Sequence, residues 1–307
     1  MPDLINVYRG TPGDLPADIS AEIIEKVRGE SAIMRLARQI ALPGRGAVIP
    51  VITSDPTAAW VAETGSKPVS TPGLSQKLMQ AYKLAVIVPF SDEFRRDRAA
   101  LYRALVERLP GALGMKFDAT VIGAADAPGE NFDQLTTATA QSLVPTASPA
   151  HTTYQGFTAA YADVAAAGGS VNGFALSPAG MGLVLNATDT SGRPIFLSNA
   201  TDGPAGRILG QTVYEARGLY KAGIASAGGT DPGTPAVVGV AGDWNKALWG
   251  TVEGVKIGIS DQTTLLIGTE LVPLWQHNMF AVKAEIEVGF RCDVNCFNRL
   301  LGAVPTT

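Results

Sequence analysis

Apolar residues between Phe94 and Val121 recur mostly in steps of four, at Phe94, Leu101, Leu105, Leu109, Leu113, Phe117 and Val121. That spacing places them on one stripe of an amphipathic helix, and Ser91-Asp92 supplies an N-cap just ahead of it. A continuous helix here would run roughly 45 Å at about 1.5 Å per residue, with a kink or interruption at Pro110, which lacks a backbone donor. An earlier stretch, Ala17 to Ile40, fits helical periodicity through Ile19, Ile23, Val27, Ile33, Leu36, Ala37 and Ile40, broken near Gly29. Between the two helices the pattern changes. A basic turn, Pro43-Gly44-Arg45-Gly46, leads into the strand-like run Ala47 to Ile52, and a second run, Tyr82 to Phe90, brings the chain back. The intervening Thr53 to Gln76 is rich in small residues, Pro and Gly, with too few apolar positions for a core of its own. These segments predict a protruding two-stranded arm. A lone hairpin is marginally stable in water, so this one needs a surface to lie on, and a neighbouring subunit is the simplest source.

The remaining chain alternates helix and strand signals. Met1 to about Pro16 reads as an extended arm, and Asp126 to Ser148 as a crossing segment between domains. His151 to Ala167 reads as a helix ending at Gly168-Gly169. Gly173 to Pro178 reads as a strand entering a turn, followed by a helix over Ala179 to Asn186. Strand signals recur at Gln211–Tyr214, Ala236–Val240 and Val255–Ile259, and the longest, Met279 to Phe290, is expected to pair beside the long helix. The fold class is α+β.

Composition narrows what such a chain does. Hydrophobic residues make up 46% of the 307 positions and charged residues only 17%, with mean hydropathy +0.15. Two explanations fit: a large Ala- and Gly-rich core, or a surface buried between subunits. The net charge of −4 argues against nucleic-acid binding as the primary task. No apolar run approaches the ~18 residues needed to span a bilayer, and Met1-Pro2-Asp3-Leu4 lacks the features of a signal peptide, so folding in a cytoplasm is expected. Cys292 and Cys296, spaced C-x3-C without a companion pair, read as buried reduced thiols, and no metal or cofactor is expected. Enzyme motifs are missing: no P-loop, no G-x-S-x-G, no H-E-x-x-H. Of the two histidines, His151 and His277, the latter sits beside Trp275 and reads as a packing residue. Gly228 to Gly233 precedes a strand, so it reads as a surface loop and not as a phosphate cradle.

Several short stretches occur in an order that carries a resemblance. They are Ala21 to Val27, Ile49-Pro50-Val51, Trp60-Val61-Ala62-Glu63 with Lys67-Pro68, Val88 to Glu93, Gly242-Asp243-Trp244, Gln276 to Met279, Ala284-Glu285 and Val288-Gly289-Phe290. In these the chain resembles the major capsid proteins of tailed phages, the fold family named after coliphage Hong Kong 97. The resemblance implies an N-terminal arm and first helix over 1–41 and an extended β-hairpin loop over 42–82. It implies a peripheral domain with a spine helix over 83–135 and 270–303, and an axial domain over 136–269. It further implies a homo-oligomer of hexamers and pentamers forming an icosahedral shell around double-stranded DNA, which is contacted non-specifically. A portal, no membrane and assembly in the host cytoplasm follow from it, with a separate scaffold protein or none and with or without decoration proteins. Trp60, Glu63, Lys67 and Pro68 would touch the neighbouring subunit. The chain departs from the type member in having no long, charged, helical N-terminal extension, so a fused scaffolding domain is not expected. Two other readings stay open: the shell of a bacterial encapsulin-type nanocompartment, and a soluble α+β enzyme or binding protein.

In the type member a loop lysine forms an isopeptide bond with an asparagine of a neighbouring subunit, with a glutamate as base. By the resemblance these roles fall on Lys67, Asn278 and Glu285. The chemistry needs a neutral, desolvated amine, a carboxamide within reach and a carboxylate to accept protons. In an extended strand, Asn278 and Glu285 would lie about 23 Å apart at ~3.3 Å per residue. A site would therefore draw on several subunits. The other reading makes Lys67 a solvated loop lysine and gives Asn278 and Glu285 structural hydrogen bonds.

Overall fold

Ser31 divides the N-terminal helical stretch in two. The structure, a computed structural model, describes residues 26–54, 58–61, 66–67, 69–71, 73–97, 99–147, 150–188, 193–195, 206–226 and 232–305. The expected arm over 1–16, the start of the first helix, Glu63, Pro68 and most of the loop at 228–233 lie outside the described residues. Residues 26–30 are helical, then Ser31 turns to extended backbone and its hydroxyl accepts the Met34 N–H at 3.0 Å, starting α1 (Ala32–Leu36). The helix break expected near Gly29 therefore falls at Ser31, where a side-chain acceptor caps a new helix. Ile40, expected in that helix, belongs to strand β1 (Arg38–Ala41) instead. Val27 and Ile33 are buried, as the periodicity required.

Strands β2 (Ala47–Ser54) and β3 (Gly73–Met79) form an antiparallel hairpin, Ala47 opposite Met79 and Ile52 opposite Leu74. The predicted return strand was Tyr82 to Phe90, and this is corrected. That run is β4 (Tyr82–Ser91), and it pairs along its length with Val288 to Met279. Its alternation explains the difference. Leu84, Val86 and Val88 pack on the core while Lys83 and Ile87 face solvent, so β4 has an apolar face that only the body can bury. β3, with Ser-Gln-Lys at its centre, carries little strand signal of its own and forms because β2 lies beside it.

Two helices follow, α2 (Asp92–Asp97) and α3 (Ala99–Val121). The Ser91 hydroxyl accepts the Phe94 N–H at 3.1 Å, the expected cap. The 23 residues of α3 make a rod of about 35 Å. Pro110 sits inside it without ending it, and Leu109, Leu113, Phe117 and Val121 are buried in steps of four.

Further along, the crossing segment contributes β5 (Thr139–Ser142) and a two-residue pair, β6 (Thr146–Ala147) and β7 (Ala150–His151). Helix α4 (Thr153–Ala166) opens with a capping box between Thr152 and Gln155 and closes at Gly168, whose φ of 73° suits glycine. Strand β8 (Gly173–Leu176) leads into α5 (Pro178–Leu185), capped by Ser177. Then come β9 (Arg207–Ile208), β10 (Gln211–Glu215), β11 (Val237–Gly242), β12 (Ala247–Thr251) and β13 (Lys256–Ser260). A second hairpin, β14 (Thr264–Ile267) and β15 (Glu270–Pro273), precedes the long β16 (Met279–Cys292) and the last strand, β17 (Phe297–Leu301).

One sheet runs β1-β12-β16-β13 with β4 on the other side of β16, and a six-stranded sheet runs β5-β17-β11-β8-β10-β9. Strand alternation buries one face of β16 against α3, where Phe117 meets Phe290 and Phe132 edge-on at 5.9 and 6.1 Å. The six-stranded sheet packs Phe174 edge-on against Phe157 of α4 at 5.4 Å. Sheet membership does not divide at residue 269: β12 and β13 join the sheet of β4 and β16, and β17 joins the sheet of β5 and β11.

Asp118 lies on α3, fully buried, and ties the spine to the N-terminal segment. It accepts the Ser31 hydroxyl at 2.5 Å and the Ala32 N–H at 3.0 Å. Burial raises its pKa to about 7, although the Ser31 hydroxyl and the N–H groups of Ala32 and Ile33 pull it down. An unfolded aspartate titrates near 3.9, so between about pH 4 and pH 7 the folded chain holds the extra proton and stability falls as pH rises. Asp118→Asn is expected to flatten the dependence of melting temperature on pH between 5 and 7; an unchanged slope would place its source elsewhere.

Candidate functional site

The residues singled out from sequence do not converge on a reaction centre within one subunit. Lys67 is solvent-exposed on the stretch between β2 and β3, and Trp60 and Val69 on the same stretch are 104% and 92% exposed. Asn278 is exposed and adopts φ 51°, ψ 47°, closing the 3-10 turn Trp275–His277; its carbonyl accepts the Asp92 N–H at 2.9 Å. Asparagine tolerates this left-handed backbone better than most residues. Glu285 sits within β16, paired to Lys283 Nζ at 2.9 Å. The Lys283 ammonium beside it lowers its pKa, against a smaller opposing effect of burial. A carboxylate so held is a weak proton acceptor. Since β16 is extended from residue 279 onward, Glu285 lies about 20 Å along the strand from Met279, the neighbour of Asn278.

His277, expected to pack with Trp275, is exposed, and Trp275 is 70% exposed. The turn points both outward because Leu274 fills the buried position beneath it. Cys292 and Cys296 are free and buried. Burial pushes the Cys292 thiol well up and the Cys296 thiol up, the latter opposed by Lys246, whose Nζ lies 3.2 Å from the sulfur. High thiol pKa values leave little thiolate for chemistry. Among the described residues no group of three or more His, Cys, Asp or Glu is placed to hold a metal ion. A cleft of about 790 Å³ between α3 and the β10 end is lined by Lys26, Glu30, Arg35, Glu107, Arg108 and Arg217, among others. Its walls mix both signs of charge with little apolar side chain beyond Met115 and Ala216, unlike the predominantly hydrophobic lining of a small-molecule pocket.

What the surface does carry is apolar area on projecting elements. Val48 and Leu78 are exposed on the β2–β3 hairpin, and Ile259, Leu266 and Leu271 on or beside the β14–β15 hairpin. Leu266 stands directly opposite Leu271, so one face of that second hairpin presents a leucine pair to solvent. Sequence reasoning missed this element. The signal was there, in Leu265-Leu266-Ile267 and Leu271-Val272 around a Gly268 turn with φ 67°. Neither hairpin has a partner strand among the described residues of its own subunit.

The sequence profile of the phage capsid family matches residues 14–292. A protein described as "Probable major capsid protein gp17", from Mycobacterium phage L5, is 31% identical over 287 residues, covering 90% of this chain and 85% of that one. The fold is shared with a solved chain of Mycobacterium phage Ogopogo (TM-score 0.70, 18% identity, 89% of this chain and 92% of that one). It is also shared with one of Gordonia phage Cozz (TM-score 0.66, 23% identity, 90% and 87%). A chain titled as the capsid of a native GTA particle aligns over 96% of this chain and 94% of its own, with TM-score 0.58 and 15% identity. With nearly the whole chain matched, this protein belongs to the phage capsid family.

Proposed function

We propose that the chain is the major head protein of a tailed phage, and that its copies build an icosahedral shell through the two projecting hairpins. The observation that carries this reading is the β2–β3 hairpin, which stands outside both main sheets and exposes Trp60 and Val69 almost entirely. A monomer has no use for such a tip, whereas a shell buries it on each neighbour, and many modest interfaces add up. Trp60, Glu63, Lys67 and Pro68 are the proposed contacts of that tip. In the proposed division, residues 83–135 and 270–303 form the peripheral part and 136–269 the axial part around the five- and six-fold axes, with β12, β13 and β17 crossing between sheets. Double-stranded DNA inside, a portal, separate scaffold or decoration proteins and assembly in the host cytoplasm belong to the same proposal. The mild negative charge suits weak, non-specific contact with packed phosphate. A nanocompartment shell could share this architecture, but the phage head is favoured by the 31% identity to a protein described as a phage major capsid protein.

We read the shell as held by noncovalent contacts, with Lys67, Asn278 and Glu285 as the residues a cross-link would use. The ion pair of Glu285 with Lys283 supports this. Purified protein is expected to sediment as particles far larger than the 31.9 kDa chain, and to collapse to one monomer band on boiling in SDS. Only small species in sedimentation would overturn the shell, while a ladder surviving boiling and lost in Lys67→Ala would overturn the noncovalent reading.

A further inference from the structure

Because among the described residues the β2–β3 hairpin ladders only with itself, its angle to the body depends on contacts at its root. Three segments meet there. Lys77 of β3 donates to the Cys292 carbonyl at 2.9 Å and lies 3.3 Å from Asp133 Oδ2. Arg291 of β16 donates through Nε to the Leu78 carbonyl at 2.8 Å, through Nη1 to Asp133 Oδ1 at 2.7 Å and through Nη2 to Asn131 Oδ1 at 2.7 Å. Asp133 accepts the Cys292 N–H at 3.0 Å, and its own N–H donates to the Phe290 carbonyl at 3.1 Å. One carboxylate thus holds two cations, each of which also bonds across the junction between hairpin and body.

Backbone crowding tightens the same junction. A Cβ on Gly46, whose φ is 84°, would come within 2.6 Å of the Met79 carbonyl, and one on Gly289 within 2.5 Å of the Gln80 carbonyl. The exit of β3 is therefore pressed closely on two sides. The Arg291 and Asp133 side chains are only 11% and 16% exposed, so the pair is screened less than a surface pair and its fork geometry imposes direction.

We infer that Arg291, Asp133 and Lys77 are positioning residues that set the angle of the hairpin, and through it the reach of its tip onto a neighbouring subunit; this rests on the shell reading above. The lever is long. A strand of eight residues spans about 26 Å, so a turn of about 10° at the root moves the far end by about 4 Å. That displacement is as large as a side-chain contact distance, ~4 Å. Loosening the clamp changes where the tip lands without unfolding the sheets beneath it.

Two variants and a control test this on the full chain. Arg291→Lys keeps the charge and loses the fork, and Lys77→Met keeps the stem and loses the charge. Lys83→Met breaks the exposed Lys83–Glu287 pair, both of whose residues lie in the β4–β16 ladder and not on the hairpin. Hydrogen exchange of unassembled subunits, melting temperature, and shell yield and diameter by electron microscopy are compared. In both clamp variants, amides of 47–49 and 77–79 are expected to exchange roughly tenfold faster through local opening, with nearly unchanged melting temperature and fewer, heterogeneous shells. Lys83→Met is expected to match the parent. Unchanged exchange in both clamp variants overturns the inference, as does faster exchange with shells of parental yield and diameter. Should Arg291→Lys fail to fold, Lys77→Met decides alone. If the parent makes no shells, the shell reading fails and with it the link to reach, while exchange still decides the clamp.

Discussion

Deleting Thr53–Gln76 is expected to leave a folded subunit that no longer closes shells. The deletion removes the exposed tip with the far ends of β2 and β3, and keeps Lys77, Leu78 and Met79, through which the root is fixed. Neither main sheet uses the described residues of the deleted segment: the β4–β16 ladder begins at Tyr82 and the six-stranded sheet lies beyond residue 138. Circular dichroism and the melting curve should therefore stay close to those of the parent. Micrographs should show small species in place of shells, because the contact area proposed for each neighbour is gone. Normal shells from the deleted chain would remove the basis for the proposed mechanism.

Phe117→Ala is expected to have the largest effect on the subunit itself. Phe117 is buried on α3 and meets Phe132 and Phe290 edge-on, joining the spine to β16 and to the loop carrying Asp133. Truncating a buried phenylalanine costs about 3–5 kcal/mol through lost transfer energy and the cavity left behind. Against a typical stability of about 5–15 kcal/mol, that loss should lower the melting temperature by roughly 10 °C. Phe117→Leu, which refills most of the volume, should recover more than half of the loss. A melting temperature within a degree or two of the parent in Phe117→Ala would show that the spine is not held by this cluster.

The elements easiest to read from sequence were those whose own residues decide them. The four-residue spacing of Leu109, Leu113, Phe117 and Val121 exposed the spine, and the length and alternation of Met279–Phe290 exposed β16, because one face of each is buried by the fold. The motif glycines and aromatics also have local causes. Gly289 lies where the Gln80 backbone crosses, and Trp244 donates to the Gly173 carbonyl at 2.9 Å while its ring meets Phe297. What escaped depended on distant partners. β3 is polar and forms only beside β2, so the returning strand was placed at Tyr82. β1, β12 and β17 are four- or five-residue strands whose pairing is parallel or long-range, and nothing in their own composition reports it. The clamp was invisible for the same reason, since Lys77, Asp133 and Arg291 are far apart in the chain and meet only once the sheets form. The proposed contact residues at the tip rest on the ordered resemblance alone.

The central claim is that the exposed hairpin of one subunit completes its burial on another. A cryo-electron reconstruction of the assembled shell tests it most directly. The expected map shows the Trp60 ring and Val69 covered by the adjacent subunit, with Leu266 and Leu271 at a second contact. A shell in which Trp60 and Val69 remain in solvent, with neighbours joined through other surfaces, would contradict it.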